Sequence, residues 1–259
     1  MFDVVKGLVL RAVDVKDADL MLSVYTLERG VISVYAKGVK NSKTNPPIAV
    51  NELSYTEFTL FESEDKIWMR SATLIRSFQP SEYNLTYLSL TTYFGEVLTA
   101  VATAENDPLL MRLMLNTLHA LSLEKYDERL LKAAFEMRLL SVIGFMPSVS
   151  ACRECGGRDG EFYFDVTSGT VCCFDCNKDG EEADFDDGER HLTVILTEGA
   201  RRALAYCVHA PMERLFSFTL SGEDAELFSR AAEAYITHQL ERSFNSLEYY
   251  HMMAGKILP

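Results

Sequence analysis

The first eighty residues alternate short apolar runs with turn-forming residues, a pattern typical of β-strands. The run at 4–10 is rich in β-branched residues, and 55–61 alternates aromatic and polar side chains. Two further runs flank Glu28-Arg29-Gly30, which predicts a hairpin, and another run at 66–78 follows a short acidic turn. Five strands in so short a segment must close to bury an inner face. We therefore predict a small β-barrel, in Greek-key or up-and-down order.

Beyond Pro80 the apolar positions take a helical spacing. Ser81 is predicted to cap a first helix, and Asp107 followed by Pro108 is a strong signal for the start of a second. The predicted helices lie at 81–103, 107–121, 127–144, 197–209 and 223–242. The fold class predicted is α+β and multidomain: a β-barrel domain at 1–80, then an α-helical domain at 81–259 with a cysteine-rich insert at about 150–180.

Composition and charge limit the classes of protein to which the chain can belong. The chain has 259 residues, of which 48% are hydrophobic and 24% charged, enough for ordered domains with real cores. No apolar run has transmembrane length and the N-terminus lacks the features of a signal peptide, so we expect a cytoplasmic protein. Residues 1–80 carry ten basic and ten acidic side chains, whereas 81–259 carry fifteen and twenty-eight, a net charge of −13. A globally basic nucleic-acid binder is excluded, but a locally basic one is not.

Two C-x-x-C pairs are the strongest chemical signal. Cys152 and Cys155 are separated from Cys173 and Cys176 by a segment of alternating Phe and Val residues with a Ser-Gly turn, which predicts a hairpin that brings the pairs together. Four thiolates fill the coordination of a structural zinc ion. Cys172 is an alternative to Cys173, although only Cys173 keeps the C-x-x-C spacing. Two alternatives remain for these cysteines. They form a redox dithiol, or they form a cluster that holds iron or no metal.

Basic residues cluster in two stretches without acids. One runs from 29 to 51 and the other from 66 to 81, and Trp68 and Arg70 share a strand face in the second. Basic side chains beside an aromatic ring on a barrel suit single-strand binding. The alternatives are that the lysines keep a loop soluble and that Trp68 belongs to the core. The candidate phosphate contacts are Lys37, Lys40 and Lys43, then Lys6, Arg11, Arg70 and Arg76. Motifs for nucleotide binding or hydrolysis are lacking, and the acidic run at 179–189 is expected to be a solvated loop.

Several segments, in their order along the chain, resemble the RecO family of bacterial DNA repair proteins. They include Leu10-Arg11, Asp17-Ala18-Asp19, Gly30 and Ala36-Lys37-Gly38. The helix leading into the first C-x-x-C pair is also similar to that family, with matching residues Phe135, Glu136, Arg138, Leu139, Leu140, Gly144 and Pro147. The likeness covers about residues 1–180.

The resemblance implies an N-terminal OB-fold and a helical domain that holds a four-cysteine zinc module. It also implies a recombination mediator without catalytic residues, which binds single- and double-stranded DNA and anneals complementary strands. Together with RecR, such a protein helps load RecA onto strands coated by the single-strand-binding protein, whose acidic tail it contacts. Candidate contacts for that tail are Arg129, Lys132, Arg138, Arg201 and Arg202, although ordinary helix-surface charge is the alternative for each. The rival functions are a zinc-ribbon adaptor without DNA binding and an enzyme whose site is assembled in space.

Overall fold

A closed five-stranded barrel forms the N-terminal part of the molecule, as predicted. The computed structural model describes residues 2–42, 45–63, 65–80, 84–103, 107–177 and 192–255. The barrel strands are β1 (Phe2–Lys16), β2 (Asp19–Thr26), β3 (Gly30–Ala36), β4 (Ser54–Ser63) and β5 (Lys66–Ser77). Their order around the barrel is β1-β2-β3-β5-β4, and only β3 and β5 pair in parallel. This is the Greek-key closure of an OB-type barrel, so the strand order left open by the sequence is settled.

β1 closes the barrel because it pairs with two neighbouring strands. Its first half pairs with β4 from Phe2 to Leu8, and its second half pairs with β2 as far as Lys16. A register shift between Val9 and Arg11 lets the strand bend between these partners. Gly7 lies at this change of partner, where a β-carbon would come within 2.3 Å of Val24 Cγ1. The barrel therefore needs a residue without a side chain at this position.

Within the part of the chain that the structure describes, six α-helices follow the barrel. They are α1 (Leu85–Val101), α2 (Pro108–Ser122), α3 (Glu128–Val142), α4 (Glu198–His209), α5 (Gly222–Gln239) and α6 (Asn245–Met253). Asp107 and Asp127 accept backbone N–H bonds at the starts of α2 and α3, as their N-cap positions predict. The prediction for α1 was wrong at its start. Its cap is Asn84, which accepts from the Tyr87 N–H, while Ser81 lies outside the described residues.

The chain divides into two compact units. The first comprises Met1–Ser122 with Phe244–Pro259, so it contains the barrel, α1, α2 and α6. Within it the Phe244 ring, just before α6, meets the Tyr93 ring of α1 edge-on at 5.6 Å. The second unit is Leu123–Ser243. The sequence did not predict α6, so this C-terminal return to the first unit is a finding of the structure.

The described residues of the second unit form three α-helices and a small sheet. Its strands are β6 (Phe162–Asp165), β7 (Thr170–Cys173) and β8 (Thr193–Leu196), in the order β7-β6-β8. The pair β6 and β7 is the predicted hairpin between the C-x-x-C motifs, whereas β8 was not predicted. Among the described residues, no helix has the length and apolar character needed to cross a membrane.

Candidate functional site

The four cysteines of the C-x-x-C pairs converge on one point. The sulfur atoms of Cys152, Cys155, Cys173 and Cys176 all lie within 4.8 Å of one another. Cys155 Sγ and Cys173 Sγ are 3.7 Å apart. Four sulfurs that each bind a tetrahedral zinc ion at about 2.3 Å lie about 3.8 Å from one another, so the observed spacing fits such an ion. The cluster is therefore able to hold a metal ion.

Backbone N–H groups point at the sulfurs of this cluster. Cys152 Sγ accepts from the N–H of Glu154 at 3.4 Å and of Cys173 at 3.3 Å, and Cys155 Sγ accepts from Gly157. Burial by itself raises the pKa of Cys152, but hydrogen bonds from the backbone N–H groups of Cys155, Cys173 and Glu154 outweigh it and lower the pKa to about 6. A thiolate is the form that binds a metal, so the local backbone prepares Cys152 for that role.

Cys172 lies outside the group of four sulfurs that converge. It is the neighbour of Cys173 on β7, where successive side chains point to opposite faces. Burial raises the pKa of Cys172 to about 11, which favours the neutral thiol. The structure thus places Cys173, and not Cys172, with the other three cysteines.

Arg201 on α4 connects the cysteine module, the insert at about 150–180 that carries the four cysteines, to the helices of the second unit. Its guanidinium donates to the carbonyl oxygens of Val149 at 3.1 Å, Ser150 at 2.7 Å and Arg158 at 2.6 Å. It also lies 4.8 Å from the centre of the Phe162 ring. Only 4% of the residue is exposed. Its charge is used to hold the loops around Cys152, so it does not form part of a charged outer surface.

The other cations predicted for the helical part have different surroundings. Lys132 is 1% exposed and lies between Glu136 and Glu233, each 2.8 Å away. Arg138 is half-buried and donates to the Ala210 carbonyl. Arg129 and Arg202 are exposed. Arg129 pairs with Asp127, the N-cap of α3, and Arg202 pairs with Glu198 on α4. The five residues therefore do not converge on one charged surface.

A small cavity in the second unit was missed by the sequence reasoning. Its volume is about 120 Å³, and it is lined by Leu130 and Leu131 of α3, by Phe216 and Phe218 before α5, and by Lys125 and Tyr126. Lys125 Nζ lies 4.9 Å from the centre of the Tyr126 ring. The segment 210–221 carries no helical or strand pattern, so only the fold brings its two Phe residues to α3.

The candidate phosphate contacts that the structure describes are all exposed. Lys6 and Arg11 lie on β1, Lys37 follows β3, and Arg70 and Arg76 lie about 20 Å apart on β5. Arg76 contacts His119 Nδ1 at 2.6 Å, and Lys40 contacts Asp14 at 2.7 Å. Lys43 lies outside the described residues. The candidates are thus spread along the barrel, and Lys37 and Arg70 lie towards one end of it.

Two polar residues anchor the loop that follows β3. Asp19 accepts from the Tyr35 hydroxyl at 2.6 Å and from the Gly38 N–H at 2.7 Å, and these bonds lower the pKa of its carboxyl. Asn45, farther along the loop, accepts from the Ala72 N–H at 3.0 Å and donates to the Arg70 carbonyl at 3.4 Å. The loop is therefore fastened at both ends to the barrel wall, beside Arg70.

Comparison with known proteins covers nearly the whole chain. A family model described as "Recombination protein O N terminal" matches residues 1–78, and one described as "Recombination protein O C terminal" matches residues 82–248. The chain is 31% identical over 246 residues to "DNA repair protein RecO" of Acetivibrio thermocellus, which covers 94% of each protein. It is 29% identical over 252 residues to the protein of that name from Symbiobacterium thermophilum, covering 95% of each. A Listeria monocytogenes relative is 26% identical over 232 residues, covering 89% of this chain and 86% of that protein. These matches support a role in DNA repair and recombination.

Proposed function

This chain belongs to the RecO family, and we propose that it is a recombination mediator that binds single- and double-stranded DNA and anneals complementary strands. With RecR, it would help load RecA onto strands coated by the single-strand-binding protein. The proposal contains no bond-making step and assigns no catalytic residue. Its place of action would be the cytoplasm, at the nucleoid.

The observation that carries the DNA-binding part is the exposure of the barrel cations. The barrel region is neutral overall, with ten basic and ten acidic residues in 1–80. Lys37 and Arg70 are nevertheless exposed towards one end, where Asn45 fastens the basic loop to β5. Phosphates would be held locally here, and the remainder of the chain, with its excess of acids, would repel them. Such binding is weak by itself and depends on partners for placement.

A strand-annealing assay across a salt series tests this proposal. About four phosphate contacts give a slope of roughly −3 for log affinity against log salt on single strands. The triple variant Lys37→Ala, Lys40→Ala, Lys43→Ala should anneal more slowly and show a shallower slope. Arg230→Ala removes an exposed cation from α5 and is the matched control, expected to behave as the wild type. Salt-independent binding, or a triple variant equal to this control, would refute the proposal.

The same assay distinguishes the proposed mediator from the alternative function, that of a zinc-ribbon adaptor. A zinc-ribbon adaptor without direct DNA binding would bind its protein partners normally and would neither bind nor anneal DNA at any salt concentration. The assay is therefore run with and without the single-strand-binding protein. Annealing only in the presence of that protein would support partner-dependent placement.

The cofactor in this proposal is one structural Zn²⁺ held by Cys152, Cys155, Cys173 and Cys176. The support is the convergence of their sulfurs within 4.8 Å and the 3.7 Å spacing of one pair. Zinc would link the two C-x-x-C turns and stabilise the module, with no open coordination position for chemistry. Metal binding of this kind contributes directly to folding.

The acidic tail of the single-strand-binding protein is the partner proposed for the cavity beside α3. Its lining is mostly apolar, and the Lys125 ammonium lies at the adjoining ring of Tyr126. Asp127 also lines the cavity, but its carboxylate is occupied by the Arg129 side chain and by the N-terminus of α3. An apolar side chain of the tail would enter the cavity while Lys125 meets a carboxylate. Lys125→Ala should weaken binding of a tail peptide, whereas the exposed control Arg230→Ala should not.

A further inference from the structure

Four aromatic residues lie opposite one another on neighbouring strands of the barrel. Phe2 of β1 pairs with Phe61 of β4, Phe61 pairs with Trp68 of β5, and Trp68 pairs with Tyr35 of β3. We call these four residues the aromatic row. The register brings them together from both ends of an 80-residue segment, so the row is a product of barrel closure.

The rings contact one another in sequence along the row. Phe2 meets Phe61 edge-on at 6.0 Å, Phe61 and Trp68 are nearly parallel at 6.4 Å, and Trp68 and Tyr35 are tilted by 60° at 4.7 Å. Strands in a sheet are about 4.8 Å apart, so the row extends over about 14 Å of the wall. Sheets that bind RNA stack two or three bases on aromatic platforms of this kind.

The aromatic row lies on the outer face of the barrel. The residues next to its members in the chain, such as Leu60, Met69 and Val34, point inward and belong to the core. Cross-strand aromatic pairs stabilise a sheet, which accounts for the contacts between the rings. It does not account for the end of the row, where Phe2 is 55% exposed. An exposed apolar patch rimmed by polar residues is typical of an interaction surface.

Cations flank the row at three points. The Arg70 guanidinium lies 4.6 Å from the centre of the Phe2 ring. Lys66 is exposed and lies two residues from Trp68 on β5, on the same side of the wall. Lys37 is exposed in the turn just after β3, two residues from Tyr35. Of the carboxylates nearby, that of Glu62 pairs with Arg29 and that of Asp19 accepts from Tyr35. The surface therefore combines ring faces and edges with positive charge.

We propose that the aromatic row is a stacking platform for the unpaired bases of single-stranded nucleic acid, with Arg70, Lys66 and Lys37 facing the phosphates. This inference rests on the proposed DNA-binding function and assigns the single-strand part of it to named rings. Bases in a duplex are already stacked and paired, so their faces are not available to the row. The row would therefore distinguish single strands from duplex, whereas the cations alone would bind both.

Trp68 is the sole tryptophan of the chain, so it reports on its own contacts. Titration of the wild-type protein with oligothymidylate should quench its fluorescence to saturation, and a duplex should quench it much less. Loss of one stacked ring weakens single-strand affinity roughly 5- to 100-fold. Phe2→Ala should show this loss in anisotropy with labelled oligothymidylate and keep its affinity for duplex. Trp68→Phe should bind nearly as well as the wild type, and Trp68→Ala should not.

The matched control is Tyr249→Ala, which removes an aromatic residue that is 44% exposed on α6. Its affinity for both kinds of DNA should equal that of the wild type. The inference is overturned if Phe2→Ala and Trp68→Ala, both folded by circular dichroism, bind oligothymidylate as the wild type does. It is also overturned if Phe2→Ala loses a protein partner and keeps its single-strand affinity. If the wild type binds neither single strands nor duplex, the proposed function itself fails.

Discussion

Lys132 Nζ lies 2.8 Å from Glu136 Oε1, and the two side chains are 1% and 0% exposed. They are one turn apart on α3, and Glu233 of α5 adds a second carboxylate at 2.8 Å from Lys132. The pair thus joins two helices inside the second unit. A buried charge of either sign needs its partner, because the interior does not solvate an isolated ion.

Replacement of Lys132 should therefore be costly. Lys132→Met leaves the Glu136 carboxylate buried without its cation, and we expect the free energy of unfolding to fall by about 3–5 kcal/mol in urea denaturation. The double variant Lys132→Met, Glu136→Leu should recover most of this loss. Arg202→Ala breaks an exposed pair on α4 and serves as control, with an expected change below about 1 kcal/mol. A Lys132→Met variant as stable as this control would contradict the buried arrangement.

The same pair predicts a dependence on alkaline pH. Burial lowers the pKa of Lys132, but the attraction of Glu136 and Glu233 outweighs it and raises the pKa above its ordinary value. A raised pKa in the folded state means that the contribution to stability is complete below the unfolded pKa, about 10.4, and is lost as the pH rises through the folded value. The difference in unfolding free energy between the wild type and the double variant Lys132→Met, Glu136→Leu, which leaves no buried carboxylate at position 136, should be constant near neutrality and shrink only above about pH 10. A difference that already shrinks at mildly acidic pH, above the range in which carboxyl groups titrate, would be inconsistent with this assignment.

The cysteine cluster predicts unequal effects of neighbouring substitutions. Purified protein should contain about one zinc ion per chain, and a strong chelator should lower its melting temperature. Cys173→Ser should lose the metal and destabilise the second unit. Cys172→Ser, one residue away, should keep the metal, because its sulfur is not among the four that converge. Metal content and thermal unfolding of the two variants measure this difference, and metal loss from Cys172→Ser alone would reverse the assignment.

Asp19 couples the loop after β3 to the only tryptophan. The hydrogen bond from the Tyr35 hydroxyl and that from the Gly38 N–H lower the pKa of Asp19. Stability from a depressed carboxyl pKa is present above the unfolded value of about 3.9 and is lost as the pH falls through the lower folded value. The Tyr35 ring lies 4.7 Å from that of Trp68, so Trp68 emission should change over this acidic range. Asp19→Asn should remove the change and Asp17→Asn should retain it; an identical titration in all three proteins would exclude the coupling.

Two glycines of the first unit should respond to alanine in opposite directions. Gly7→Ala places a β-carbon 2.3 Å from Val24 Cγ1 inside the barrel, and we expect a loss of about 1–3 kcal/mol in the free energy of unfolding. Gly95 lies within α1, where the nearest atom to a β-carbon is Leu10 Cδ2 at 4.0 Å. Gly95→Ala should stabilise the protein by about 0.5–1 kcal/mol, because alanine favours the helix. Chemical denaturation of both variants tests the barrel geometry, and a neutral Gly7→Ala would contradict it.

Local signals in the sequence were enough for much of the fold. The strands of the barrel follow from alternation, and α2 and α3 begin where Asp107 and Asp127 accept the first N–H groups. The β6 and β7 hairpin follows from the spacing of the C-x-x-C pairs. Each of these features depends on residues close in the chain, whose geometry is set by hydrogen bonds and backbone preferences within a few positions.

Features that depend on distant contacts could not be read from the sequence. β8 is four residues long and is held by pairing with β6, and α6 is held against α1 from the far end of the chain. Neither carries a strong local pattern. The charges of Lys132 and Arg201 looked like helix-surface charges, and only the packing of α5 against α3 and of the cysteine module against α4 shows that they are buried.

The sequence by itself determined the composition of the candidate sites: four cysteines in two pairs, two stretches of basic residues, and a barrel followed by helices. Tertiary structure alone decided which side chains meet. It placed Cys173, which the C-x-x-C spacing already favoured, with the other three cysteines. It buried Lys132 and Arg201, and it aligned Phe2 with Tyr35 through Phe61 and Trp68. The physical reason is that strand register and helix packing are set by burial of the whole core, to which residues far apart in the chain contribute together.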